Sequence, residues 1–206
     1  MAKRVFDEGT IGELQRVEIG VRNPFDHGTH LFDFCNLLNG ERQAEWALAQ
    51  IDYREENVRY GTHNENHAIG QWTYENGVPG IVAGGDGAEL IGCAIRVVGT
   101  EGVIELHEGS STADRFRRNG DDGWEVIESE TTEDTLHLAI AHIVESFDAG
   151  KEPELSASNA LNATELIFGC YESVRKRGRV DFPLEIPDNP LEALVESGEI
   201  TPESAD

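Results

Sequence analysis

Between residues 44 and 128 the chain runs through one short apolar segment after another, with glycine-containing turns between several of them. The segments fall at roughly 44–53, 68–76, 79–84, 89–98, 102–107 and 123–128, each with the alternation or short apolar run of a strand. Asn76-Gly77 has the composition of a tight hairpin turn. Strands joined by such turns pair antiparallel, because a parallel neighbour needs a long crossover. An antiparallel-rich sheet is therefore what this stretch can form. An earlier segment, residues 13–22, sets Leu14, Val17 and Ile19 among polar neighbours and reads as one more strand with a buried face.

Helical spacing appears in three places. In NPFDHGTHLFDFCNLLNG, Leu31, Phe34, Cys35 and Leu38 fall on one face; the helix is entered near Asp26 and stops at Asn39-Gly40. A second pattern, carrying Leu136, Ile140, Ile143, Val144 and Phe147, starts in Thr/Glu/Asp-rich sequence and stops at Gly150. The third, about 157–177, presents Ala160, Leu161, Thr164, Ile167, Phe168, Tyr171 and Val174, and ends in a basic cluster before Gly178, where cations suit the helix dipole. The expected fold is α+β: an open, largely antiparallel mixed β-sheet with helices packed on one face, the other face solvated or paired with another subunit. Residues 185–206 read as an acidic tail with one short helix at 190–197.

The charge is lopsided, with 40 acidic residues against 16 basic ones and a net charge of −24. The acids are spread along the whole chain, which repels nucleic acid and anionic membranes and fits a solvated acidic shell of the kind high salt favours. No apolar run approaches the ~18 residues of a membrane span, and the opening MAKRVFDEG has no signal-like apolar stretch, so a cytoplasmic protein is expected. Cys35, Cys93 and Cys170 are far apart, each in apolar sequence and without CxxC spacing, which predicts buried reduced thiols.

Among residues that can carry chemistry, Asp26 and His30 stand out. A spacing of four at the mouth of a helix stacks a carboxylate and an imidazole on one face, where both can reach one substrate hydroxyl. The same spacing also suits a capping Asp26 and a His30 bonded into the core. His27 reads as a loop residue, Gly28 as a point of close backbone approach, and Asp33 as a surface or orienting acid. His63 and His67 in HNENH invite a metal reading, yet the segment leads into a strand and no third ligand is nearby, so no metal is expected. GGDGAEL at 84–90 lacks the last glycine of a dinucleotide loop and reads as a turn. Arg115, Arg117 and Arg118, set among Asp114, Asp121 and Asp122, read as a solvated loop.

DHGTHLFDFCNLLNG resembles the D-x-G-x-H-x-x-D helix of the Gfo/Idh/MocA dehydrogenases, matching at Asp26, Gly28, His30, Asp33 and Gly40. FDEGTIGELQRVEI, WTYENGVPG, GTEGVIEL and ELSASNALNATELIFGCYESVRKRGRVDFPL are similar to further family segments in the same order, over about residues 4–184. The resemblance implies a GAPDH-like C-terminal domain that binds substrate and mediates oligomerisation. It implies hydride exchange between a sugar, inositol or related polyol and NAD or NADP. It places Asp26 and His30 at the reacting hydroxyl, with Asn23 and His27 as further substrate-binding residues. Asn23-Pro24-Phe25 stands where the family has a glycine-rich run. Neither a strand–GxGxxG–helix unit nor a Glu-Lys-Pro motif occurs, so no cofactor-binding residue is expected in this chain, and the nucleotide is expected on a separate Rossmann-domain chain or a missing domain. The chain is then nearly inactive alone; the alternatives are a non-enzymatic polyol-binding or dimerisation module, or a metal enzyme using His63 and His67.

Overall fold

The strands sort themselves into a single large sheet because their apolar residues share a face. The computed structural model describes residues 2–24, 26–109, 112–128 and 135–203. In chain order the elements are α1 (Ala2–Asp7), β1 (Leu14–Val21), α2 (Gly28–Leu38), β2 (Ala44–Asp52), β3 (Val58–Arg59), β4 (Thr62–His63), β5 (His67–Tyr74), β6 (Pro79–Gly84), β7 (Ile95–Gly99), β8 (Gly102–Leu106), β9 (Arg115–Arg118), β10 (Glu125–Val126), α3 (Thr135–Asp148), α4 (Ala157–Lys176), β11 (Val180–Asp181) and α5 (Pro190–Glu196). Nine strands form one sheet in the order β10-β9-β8-β7-β1-β6-β5-β2-β11, and β3 and β4 form a separate hairpin. The β1–β6 pair is parallel, and the other neighbours in the sheet are antiparallel. This is the open mixed sheet that the sequence predicts.

One face of the sheet is the core. Val17, Ile19 and Val21 of β1, Trp72 of β5 and Val82 of β6 are buried beneath Phe32 and Cys35 of α2 and Ile167 and Tyr171 of α4. Phe32 meets Trp72 with ring centroids 5.2 Å apart. Gly80 lies opposite Trp72 in the ladder, and a Cβ there would fall 2.1 Å from the indole ring, so only glycine admits it. All three cysteines are buried and unbridged, as expected, and burial pushes their thiols up.

The opposite face divides in two. Register sets Glu18, Arg96, Glu105 and Arg115 side by side, with Arg96 donating to Glu18 at 2.7 Å and to Glu105 at 3.0 Å. Arg115 closes the chain on Glu105 at 2.6 Å and lies over the Trp124 ring. Toward the other edge Leu48, Ile69 and Ile81 are 38, 53 and 36% exposed, interleaved with Gln50 and Gln71.

Several expectations need correction. The arginine cluster is not a solvated loop: Arg115, Arg117 and Arg118 lie on β9, and Arg115 is held by a carboxylate in the ladder beside it. The strand expected from residue 89 starts at Ile95, because 85–90 close into a short 3-10 helix. The strand expected over 123–128 keeps Glu125–Val126 alone. The third long helix ends one residue earlier than Gly178 suggested, with Arg177 in the left-handed region at φ 54° and Gly178 N bonding back to Ser173 O at 3.0 Å. The basic cluster there does more than face a dipole, since Arg175 and Lys176 both pair with the buried Glu172. Beyond residue 184 the chain folds back. Asn189 caps α5, and Leu191 and Leu194 are buried. Phe25 and the Thr/Glu/Asp-rich approach to α3 lie outside the described residues.

Candidate active site

The site begins where β1 stops pairing. Asn23 is 1% exposed, and its Oδ1 accepts from the amides of Asp26 at 3.0 Å and His27 at 3.1 Å. Its own carbonyl accepts from Gly28 N at 2.9 Å. These bonds hold the turn that starts α2 and satisfy amides that a helix entrance leaves without partners. A Cβ on Gly28 would lie 3.2 Å from that same carbonyl, so the close approach here is to the chain's own backbone. Asn23 therefore holds the turn ahead of α2, whose own N-cap, His27, has no side-chain cap bond, and its side-chain oxygen is committed to backbone.

Asp26 is partly buried, and its Oδ2 lies 3.4 Å from Arg59 Nη1, a contact that reaches from the turn to the β3–β4 hairpin. His30 stands one turn on and is exposed, so it is not a bonded core histidine. Both side chains line one cleft of about 1230 Å³, together with Asn23, His27, Arg59 and Glu65. His27 Nε2 lies 2.5 Å from Glu108 Oε2, while its Nδ1 has no partner. Asp33 sits in a side groove that His30 shares with His142 and Glu154. Burial raises the Asp33 carboxyl, the neighbouring His30 charge pulls it back and Glu154 pushes it up, so this acid is electrostatically tied to His30.

The HNENH histidines separate rather than converge. His63 Nδ1 is 2.6 Å from the Tyr53 hydroxyl, and its Nε2 is 3.8 Å from Glu192 of α5. His67 lines the cleft, and its Nδ1 accepts from Asp86 N at 3.0 Å. Among the described residues no three His, Cys, Asp or Glu side chains are grouped to hold a metal ion. Glu65, between the two histidines, is the residue that sequence reasoning passed over: it is 1% exposed, its Oε2 accepts from the Tyr171 hydroxyl, and its Oε1 has no partner. Burial pushes this carboxyl up to about 7, against the Tyr171 bond and its own backbone amide, which favour the charged form. The signal for it in the sequence is an acid just ahead of an apolar strand, a place where a charge is costly.

A dinucleotide does not fit these residues. The one glycine-rich stretch forms a six-residue 3-10 helix carrying Asp86 and Glu89, both lining the cleft, and acids there repel a pyrophosphate instead of cradling it. Among the described residues no helix is long and apolar enough to cross a membrane.

An open mixed sheet with helices on one face is the architecture of an oxidoreductase C-terminal alpha/beta domain. The family model described as "Oxidoreductase family, C-terminal alpha/beta domain" matches residues 15–182, and the chain belongs to this Gfo/Idh/MocA oxidoreductase family. The fold is shared with solved structures of low sequence identity. An NAD binding oxidoreductase from Klebsiella pneumoniae superposes with a TM-score of 0.70 at 14% identity, covering 89% of this chain and 62% of that one. An aldose-aldose oxidoreductase from Caulobacter crescentus, complexed with glycerol, gives 0.65 at 17% identity over 88% of this chain and 59% of that one. An oxidoreductase from Agrobacterium radiobacter in complex with NAD+, L-tartaric acid and magnesium gives 0.59 at 22% identity, over 87% and 60%. The chain thus spans about 60% of the length of these structures. A comparison with curated proteins finds no match.

Proposed function

We propose that this chain is the substrate side of an NAD(P)-dependent dehydrogenase acting on a hydroxyl of a sugar, inositol or related polyol, and that the nucleotide is held by a Rossmann-type domain outside these 206 residues. The observation that carries the reading is the shared cleft: Asp26 and His30 face one space, Asp26 is held by Arg59, and His30 is open to solvent. In this reading Asp26 orients the reacting hydroxyl and His30 takes its proton, the role an imidazole fills near neutrality. Asn23 and His27 shape the rim. The polar, acid-rich lining suits a neutral ligand with many hydroxyls better than an anion. One of the similar structures is complexed with glycerol, a neutral polyol.

The test is calorimetric titration of the purified chain with a panel of sugars and inositols and with NAD and NADP, in molar salt to screen the acidic shell. Polyol binding that is lost in Asp26→Ala and His30→Ala, without nucleotide binding, is the expected result. Tight nucleotide binding, or no polyol binding, would overturn the reading. Turnover on mixing with a Rossmann-type chain would then distinguish a dehydrogenase half from a binding module. The exposed Leu48, Ile69 and Ile81 favour a further role for the open face as the contact with a second copy of the chain.

A further inference from the structure

Glu65 is the buried acid of the cleft that the proposed chemistry does not use. Its backbone carbonyl accepts from Asn57 Nδ2 at 3.3 Å, its Oε2 takes the Tyr171 hydroxyl from α4, and its Oε1 is buried with no partner among the described residues. The large majority of buried side-chain polar atoms in native proteins find a hydrogen-bond partner, and Glu65 lines the cleft, so a group entering from the cleft is placed to supply the one this oxygen lacks. We propose that Glu65, braced by Tyr171, is a ligand-contacting residue whose free Oε1 bonds one hydroxyl of a polyhydroxylated substrate. This assignment rests on the reading of the cleft as a polyol site.

The surroundings choose the chemical class. Tyr171 is a fully buried core residue of α4, so the carboxyl it holds is fixed in place before any ligand arrives. A cationic ligand group would need the ionised acid, which burial disfavours here. A hydroxyl both donates and accepts, and so pairs with the carboxyl whether or not it carries its proton. The alternative occupant is a fixed water, which would satisfy Oε1 equally well and leave the ligand indifferent to Glu65.

The test compares the wild-type chain with Glu65→Leu/Tyr171→Phe, in which both partners become apolar together and neither is left unpaired, the change that costs folding least. Calorimetric titration in molar salt uses myo-inositol, D-glucose and the monodeoxy derivatives of each. The expected result is a loss of about ten-fold or more in affinity for the parent polyol in the double variant. One monodeoxy derivative, already weakened against wild type, should bind both proteins alike. Equal affinity of the parent polyol for both proteins overturns the assignment and leaves the polyol reading standing, as does an equal loss for the parent and every derivative. If no member of the panel binds wild type, the polyol reading falls and the assignment falls with it. Circular dichroism and a melting curve check the fold, and Glu65→Met, which keeps the length of the side chain and removes both oxygens, repeats the comparison if the double variant unfolds.

Discussion

Replacing Glu65 by Gln should flatten a part of the pH dependence of stability that can be worked out in advance. The folded protein holds this carboxyl at about 7, against an ordinary value of 4.5, because burial penalises the charge more than Tyr171 and the backbone amide favour it. A raised value means that the folded state prefers the proton. The contribution to stability is therefore fully present below pH 4.5, falls as the unfolded chain ionises above it, and is exhausted once the folded group also ionises above about 7. A shift of this size corresponds to roughly 3 kcal/mol in full, of which about 2 kcal/mol falls between pH 5 and pH 7. The residue is almost wholly shielded from water, so solvent screening takes little from that figure.

The assay is urea unfolding of wild type and Glu65→Gln at half-unit steps from pH 5 to pH 8, in molar salt, with the slope of each transition checked for constancy. Gln cannot ionise, so its curve keeps the pH dependence of every other group and loses this one. A constant offset between the two proteins is expected, because the carboxamide brings donors that the site was not built for. The diagnostic is the change in that offset: wild type should lose about 2 kcal/mol more than the variant between pH 5 and pH 7. Parallel curves across this range would refute the argument and mean that water or a nearby donor already stabilises the charged form.

Three further outcomes follow from single contacts. Asn23→Ala removes one acceptor from two backbone amides at the entrance to α2, so chemical denaturation should show a loss of about 2 kcal/mol, with polyol binding weakened as Asp26 and His30 lose their frame. Arg177→Gly relieves a left-handed residue at φ 54° whose guanidinium is not needed for the helix end, and should raise stability by about 1 kcal/mol, read as a higher Tm. Ile69→Asp places a charge in the exposed apolar half of the sheet; sedimentation should show a dimer in wild type and a monomer in the variant, and a monomeric wild type would remove the open face from the argument.

Much of this fold is written in periodicity, and the exceptions have identifiable causes. Val17, Ile19 and Val21 on β1 alternate cleanly because one face of that strand meets α2, and the same rule finds β2, β5, β6 and β8. The rule fails at β9, where RFRR offers one apolar residue between arginines. Its pairing depends on Glu105 and Trp124, which come from other parts of the chain. It also overextends β7, since residues 89–94 have an apolar run that Gly92, at φ 77°, interrupts with a turn. The exposed hydrophobic residues of α3 show the opposite failure: Ile140, Val144 and Phe147 fit an amphipathic helix, yet the face they define is not buried against this domain.

The candidate site was half legible for a physical reason. Asp26 and His30 are four apart on one turn, so their proximity is local and the sequence carries it. What places Asp26 for chemistry is not local in the same way: it depends on Asn23 taking the two amides and on Arg59 arriving from a hairpin whose strands are two residues each, too short to leave a pattern. Glu65 is the extreme case. Its carboxyl is held by Tyr171, more than a hundred residues away on α4, and between His63 and His67 only its place just ahead of an apolar strand marks it. The metal reading drew attention to the right segment through the wrong residues, because the two histidines turn to Tyr53 and Asp86 while the acid between them is drawn inward. A motif reports which residues are neighbours along the chain. Whether they share a site is decided by partners such as Asn23 and Tyr171, and at this cleft those partners set Asp26 and Glu65 among the acids of its wall while the histidines turn to other neighbours.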